Sequence, residues 1–219
     1  NWLGLTGRGQ IVAHADTGLD TGNLLTLHPD FTNRLRAAFG LWRSGGAWSD
    51  PDGHGTHTAG SLMGNGSALS NGLFRAPAYE AQLVHQSLYY DSSFPLLVPT
   101  NLQQLFEQTY ATNARIHSCS WGYYNAGAYD GYARDVDEFM WLHPDMLIVL
   151  AAGNEAADGD GKGVVSKGVM ISPGSAKNAM TVGASESDRP AGSGWNSSFV
   201  YGSGSWEPWF PANPIHDDL

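Results

Sequence analysis

Apolar positions along this chain fall into short unbroken runs separated by stretches with helical spacing. Residues 10–15 form such a run and end in Asp16-Thr17-Gly18, which predicts a buried strand that delivers a polar residue at its carboxyl end. Residues 81–88 and 115–120 read as further strands, and residues 146–152 as the most apolar one. Between them, residues 100–112 carry Leu102, Leu105, Phe106, Thr109 and Tyr110 at helical spacing, with Thr100 or Asn101 available as the N-cap. Residues 129–142 repeat the pattern: Val136, Phe139 and Met140 make an apolar face, and His143-Pro144 stops the helix. Residues 54–63, small and apolar after a Gly-rich approach, predict a helix that starts at His54, whereas residues 20–33 read as loop. Strands alternating with helices imply parallel pairing through right-handed crossovers. The expected fold is therefore α/β, a mostly parallel sheet flanked by helices on both faces. From Asp188 onward the composition turns to Gly, Ser, Trp and Pro, so residues 188–219 are expected to be loop-rich rather than a second domain. No internal repeat is evident.

Composition narrows the function classes. The 219 residues, 42% of them hydrophobic and 11% aromatic, suffice for a packed core in one domain. The longest apolar run, residues 146–152, falls far short of the roughly 20 residues that cross a bilayer. With 11 basic against 21 acidic residues the formal charge is -10, which opposes nucleic acid and anionic membrane surfaces as partners. The single cysteine, Cys119, excludes an intramolecular disulfide and has no neighbouring cation in sequence to activate it, so it reads as a small buried side chain. No basic and apolar leader precedes Asn1, which is consistent with removal of a leader or propeptide.

Three segments carry the chemistry: Ala15-Asp16-Thr17-Gly18, Asp52-Gly53-His54-Gly55-Thr56-His57 and Ala151-Ala152-Gly153-Asn154. Asp16 and Asn154 each follow an apolar strand-like run, and His54 opens a helix. In an open α/β sheet such positions share the crevice beyond the carboxyl ends of the strands. A buried carboxylate there can orient an imidazole, whose second nitrogen takes a proton from a hydroxyl. Other readings stand beside this one. Asp16 alone serves equally as a turn-initiating carboxylate, and Asp-Thr-Gly also suits a pair of carboxylates sharing a proton, which a homodimer would have to complete. His54 and His57, with Asp52, are a possible metal pair on one helical face, although no HExxH pattern is present. Asn154 alone can cap a turn. His14, His28, His85, His117 and His143 read as surface or satisfied core histidines.

Taken in order, the three motifs resemble the subtilisin-like serine proteases over residues 7–184. That resemblance implies an endopeptidase that cleaves peptide bonds through an acyl-enzyme, with Asp16 orienting, His54 as base and Asn154 in the oxyanion hole. It also implies that Ser120, Trp121 and Gly122, together with Ala152 and Gly153, bind the substrate main chain as an added strand, and that a strand occupies residues 180–183. The family's nucleophile sits in a Gly-Thr-Ser-Met-Ala segment that does not occur in these 219 residues. The serine is expected downstream, this chain is expected to be an incomplete catalytic domain inactive by itself, and a missing C-terminal segment or a propeptide is an expected partner beside the peptide substrate. Ser175 and Ser203 have glycine neighbours but not the surrounding pattern. No cofactor is required for this chemistry; the family implies possible structural calcium and secretion. Asp158-Gly159-Asp160-Gly161 resembles part of a calcium loop but lacks the later bidentate glutamate. The alternative function is a non-catalytic peptide-binding or scaffold remnant of a protease fold. Asn65 and Asn196 stand in glycosylation-type triplets, and the aromatic cluster at 195–210 reads as loop packing or an exposed surface.

Overall fold

In the computed structural model, which describes residues 4–68, 74–154 and 169–183, the apolar runs become strands. In chain order these are β1 (Ile11–Asp16), β2 (Leu35–Gly40), β3 (Gln82–Ser87), β4 (Ile116–Cys119), β5 (Tyr123–Tyr124), β6 (Leu147–Ala151), β7 (Ile171–Ser172) and β8 (Met180–Val182). Six of them form one sheet in the order β2-β3-β1-β4-β6-β8, every pairing parallel. The short β5 and β7 pair antiparallel beside it. Helices α1 (His54–Met63), α2 (Gln103–Tyr110) and α3 (Gly131–Leu142) cover the sheet.

The two-residue period of a strand assigns the faces. On one face Leu83 of β3 packs with Ala59 and Met63 of α1 and with Leu19, Leu27 and Phe31. On the other, Ala15, Cys119, Ile148 and Leu150 meet Leu105 and Phe106 of α2 and Val136 and Phe139 of α3. Phe106 and Phe139 are almost wholly buried, with ring centroids 5.4 Å apart. Each such side chain contributes about 1.5–3 kcal/mol by leaving water. Parallel strands buried on both faces read as the near-continuous apolar runs seen in the sequence.

Differences from the expected elements have local causes. The α1 helix starts at His54 as expected, but α2 begins later than the spacing suggested. Its entry is held by two acceptors, Asn101 Oδ1 from the Gln103 N–H at 2.9 Å and Asp135 Oδ2 of α3 from the Leu102 N–H at 3.1 Å. Asp130 caps α3 through the Ala133 N–H at 3.1 Å, and the helix ends at Leu142, before His143-Pro144. β2 had no sequence signal: it lies at the edge of the sheet, is only partly buried, and shifts register between Leu35 and Ala37. Among the described residues no helix is long and apolar enough to cross a membrane. The expectations for residues 158–161, Asn196, Ser203, the aromatic cluster at 195–210 and the loop-rich stretch 188–219 lie outside the described residues.

Candidate active site

Chain order reverses at β1, whose two neighbours are β3 on one side and β4 on the other. This is the switch point beside which α/β sheets open a crevice at the carboxyl ends of their strands. Because β1, β4 and β6 are parallel, Asp16, the Ser120-Trp121-Gly122 segment and the Ala152-Gly153-Asn154 segment all emerge at that one edge.

Asp16 is fully buried at the end of β1, and its carboxylate is held on both oxygens. Oδ1 accepts the Thr17 N–H at 2.7 Å and lies 2.7 Å from His54 Nδ1, while Oδ2 accepts the Thr58 hydroxyl at 3.1 Å. The His54 side chain is 48% exposed, and among the described residues its Nε2 has no protein partner. The bond to Asp16 raises the His54 pKa above the usual imidazole value, against the opposing effect of partial burial. The pair is thus an imidazole fixed at one nitrogen by a buried carboxylate and open at the other.

What places His54 there is close backbone contact and a second carboxylate. A Cβ on Gly55 would run into the Gly18 carbonyl oxygen, so the first turn of α1 rests directly on the chain leaving β1. Asp50 accepts from Thr17 Oγ1 at 2.8 Å, the Gly53 N–H at 3.0 Å, the Thr56 N–H at 2.7 Å and Thr56 Oγ1 at 2.5 Å. Thr17 Oγ1 in turn accepts the Gly55 N–H at 2.8 Å. Burial pushes the Asp50 pKa up, but these donors outweigh it and hold the carboxyl below its ordinary range. Sequence reasoning singles out Asp52, which among the described residues reaches only the His54 N–H at 3.2 Å, and misses Asp50. The available signal was an aspartate three residues before a glycine, the pattern of a side chain that closes a turn.

The remaining expected residues line the same edge in different ways. Trp121 is buried in the core, and its indole N–H donates to the Ala15 carbonyl at 2.8 Å, tying the segment after β4 to β1. Gly122 lies against Ile171 and the Ser172 carbonyl, with no room for a side chain, and Ser120 is half-buried. Ala152 donates to the Val182 carbonyl at 2.9 Å and accepts the Ile171 N–H at 3.0 Å, so both its backbone groups are engaged. Gly153, at φ 108°, packs on the Ile171 side chain and presents the exposed Asn154. Asn154 shares the edge with the Asp16–His54 pair but makes no hydrogen bond to it among the described residues.

Other candidates fall elsewhere. His57 is exposed and lines an open groove of about 480 Å³ with Asp20, Thr21, Asp50, Gly53 and Thr56. Among the described residues no three His, Cys, Asp or Glu side chains are grouped to hold a metal ion. Ser175 donates to the Ala128 carbonyl at 2.8 Å. Cys119 is buried with its thiol pKa pushed well up by desolvation, and its sulfur lies 3.2 Å from His117 Nδ1. Asn65 folds back to accept the Ser67 N–H at 2.9 Å.

With the pair and its edge defined, likeness to known proteins becomes informative. The subtilase family model, Peptidase S8, matches residues 7–212. The chain belongs to the subtilase family of serine peptidases. Serine protease/ABC transporter B family protein tagA of Dictyostelium discoideum is 28% identical over 210 residues, which are 92% of this chain and 12% of that protein. Serine protease AprX of Bacillus subtilis is 29% identical over 198 residues, 86% of this chain and 41% of AprX. The chain therefore spans well under half the length of these relatives. The solved structure of the Clostridium perfringens CspB protease superposes with a TM-score of 0.55 at 22% identity, over 73% of this chain and 38% of that one, a likeness of fold.

Proposed function

We propose that this chain forms the catalytic core of a serine endopeptidase that hydrolyses peptide bonds through an acyl-enzyme. The observation that carries the reading is the 2.7 Å contact between His54 Nδ1 and the buried Asp16 Oδ1, with the other ring nitrogen left open. In the reaction, Nε2 of neutral His54 takes the hydroxyl proton of a serine outside the described residues as its oxygen attacks the scissile carbonyl carbon. Asp16 stays ionised and stabilises the imidazolium. His54 then gives the proton to the departing amine as the C–N bond breaks, and water repeats the sequence to release the acid. The Asn154 amide donates to the oxyanion; in subtilisin, loss of such a donor lowers kcat about 10²- to 10³-fold. Substrate main chain adds as a strand along residues 120–122 and 152–153, where the burial of Trp121 and the engaged Ala152 limit recognition to the remaining backbone groups.

The test is made on the protein with its natural sequence in full, by fluorophosphonate labelling resolved on a denaturing gel and by hydrolysis of a peptide substrate. The expected result is labelling and turnover in the native protein and loss of turnover in His54→Ala, by about 10⁴-fold or more. Full turnover in that variant overturns the assignment, and peptide binding with neither labelling nor turnover identifies a scaffold instead.

A further inference from the structure

Behind Asp16 lies a row of buried polar groups that the hydrolytic mechanism does not use. His14, two residues before Asp16 on the same face of β1, is fully buried, as is His85 opposite it on β3. Their Nδ1 atoms are 3.1 Å apart, and His14 Nε2 is 2.9 Å from Thr58 Oγ1 on α1. The same hydroxyl reaches Asp16 Oδ2. Thus His85, His14, Thr58, Asp16 and His54 form one continuous chain of hydrogen bonds across two strands and a helix.

Proton counting gives that chain a direction. A buried carboxylate oxygen needs a donor, and among the described residues Thr58 at 3.1 Å is the one in range of Oδ2, since His14 Nε2 stands 3.8 Å away. The single Thr58 proton therefore points at Asp16, and towards His14 its oxygen can only accept, so His14 Nε2 carries a hydrogen. A neutral His14 is then bare at Nδ1, which obliges His85 Nδ1 to donate. That leaves His85 Nε2 as a lone pair, and this is the atom with no partner among the described residues. The reverse direction would bury an unpaired N–H at His85 and leave Asp16 Oδ2 without a donor, two penalties in place of the single unpartnered acceptor at His85 Nε2. Burial lowers the pKa of both imidazoles, which keeps them neutral as this count requires.

We infer that Thr58, backed by His14 and His85, is a positioning device that locks the Asp16 carboxylate against His54. The inference rests on the reading of Asp16 and His54 as the catalytic pair. Thr58 has two other acceptors, the His54 and Gly55 carbonyls, both at 3.1 Å. Donation from His14 occupies one side of the hydroxyl oxygen and turns its proton away from them, onto Asp16. Without the hydroxyl, the carboxylate loses the donor on Oδ2 and turns about its own side chain, loosening the bond to His54.

The experiment is nitrogen-15 and proton NMR of the histidines in the purified chain. Unmodified protein is expected to show His14 with hydrogen on Nε2, His85 with hydrogen on Nδ1, and a downfield, slowly exchanging Nδ1 proton on His54. In Thr58→Val that proton should be lost to exchange and the His54 pKa should fall back towards about 6.5; Thr58→Ser, which keeps the hydroxyl, should restore both. Hydrogen on Nδ1 of His14 overturns the inference without any variant. So does a folded Thr58→Val protein whose His54 titrates unchanged. Neither readout involves turnover, so an inference lost here leaves the peptidase reading standing, and retained turnover in His54→Ala overturns that reading while the NMR result holds.

Discussion

The two faces of β1 are built on different principles. One presents Ala13 and Ala15 to apolar clusters, the latter beside Phe106, Phe139, Ile148 and Leu150; the other presents His14 and Asp16 to the polar side chains of α1. The first face is stabilised by area removed from water, which tolerates exchange of one apolar residue for another of similar volume. The second depends on hydrogen bonds, each of which has a direction set by its neighbours. Folding strength and chemical competence are therefore separable in this protein, although they share a strand.

Acid should produce the largest effect, because it acts on both faces. His14 and His85 on the polar face and His117 on the other are fully buried, and desolvation lowers all three, His117 to about 3. In the unfolded chain they take up protons below about pH 6.5, while the folded chain holds them neutral, so the unfolded state binds more protons and stability falls as pH falls. The slope is at most about 1.4 kcal/mol per pH unit for each imidazole that stays neutral in the folded chain, and thermal unfolding followed from pH 7 to 4.5 measures it. His54 acts in the opposite sense: its raised pKa contributes stability below the unfolded value that is lost as pH rises through the folded one, and its half-exposed ring keeps this small. For the proposed catalysis the same shift should place the acidic limb of the activity profile above about pH 6.5, which a pH–rate profile of the full-length protein checks.

Next in size, Phe106→Ala on the apolar face should cost about 3–5 kcal/mol in denaturant unfolding and leave the His54 titration where it was. A shift of His54 in that variant would show the faces to be coupled. Asp50→Ala is the converse test. Losing the acceptor for Thr17, Gly53 and Thr56 should cost less stability than the Phe106 cavity, about 1–3 kcal/mol, yet lower kcat in the full-length protein by about 10²-fold through displacement of His54.

The two faces also differ in how far they could be read from sequence. The apolar face follows from periodicity alone: residues 146–152, 100–112 and 129–142 anticipate β6, α2 and α3 to within a few residues. The pairing of Asp16 with His54 was legible because each sits in a compact motif. The bond of Asp50 to Thr17 and the row behind Asp16 were not, because the partners are 33 residues apart for Asp50 and Thr17, 44 for His14 and Thr58 and 71 for His14 and His85. No local pattern brings such residues together; the strand order does. β2 was silent for a related reason, since an edge strand with an exposed Arg36 lacks the apolar run that marks its neighbours.

The contact of Gly55 with the Gly18 carbonyl continues outward, because a Cβ on Gly18 would in turn strike the backbone of Ser49 and Asp50. Two stretches far apart in the chain, residues 16–18 and 49–55, are thus stacked main chain on main chain, with no side chain between them to absorb a change. A methyl group added at either glycine would push the whole stack apart, so for mutational drift the aspartate motif, the histidine motif and the Ser49-Asp50 turn form a single heritable unit that can only be altered together.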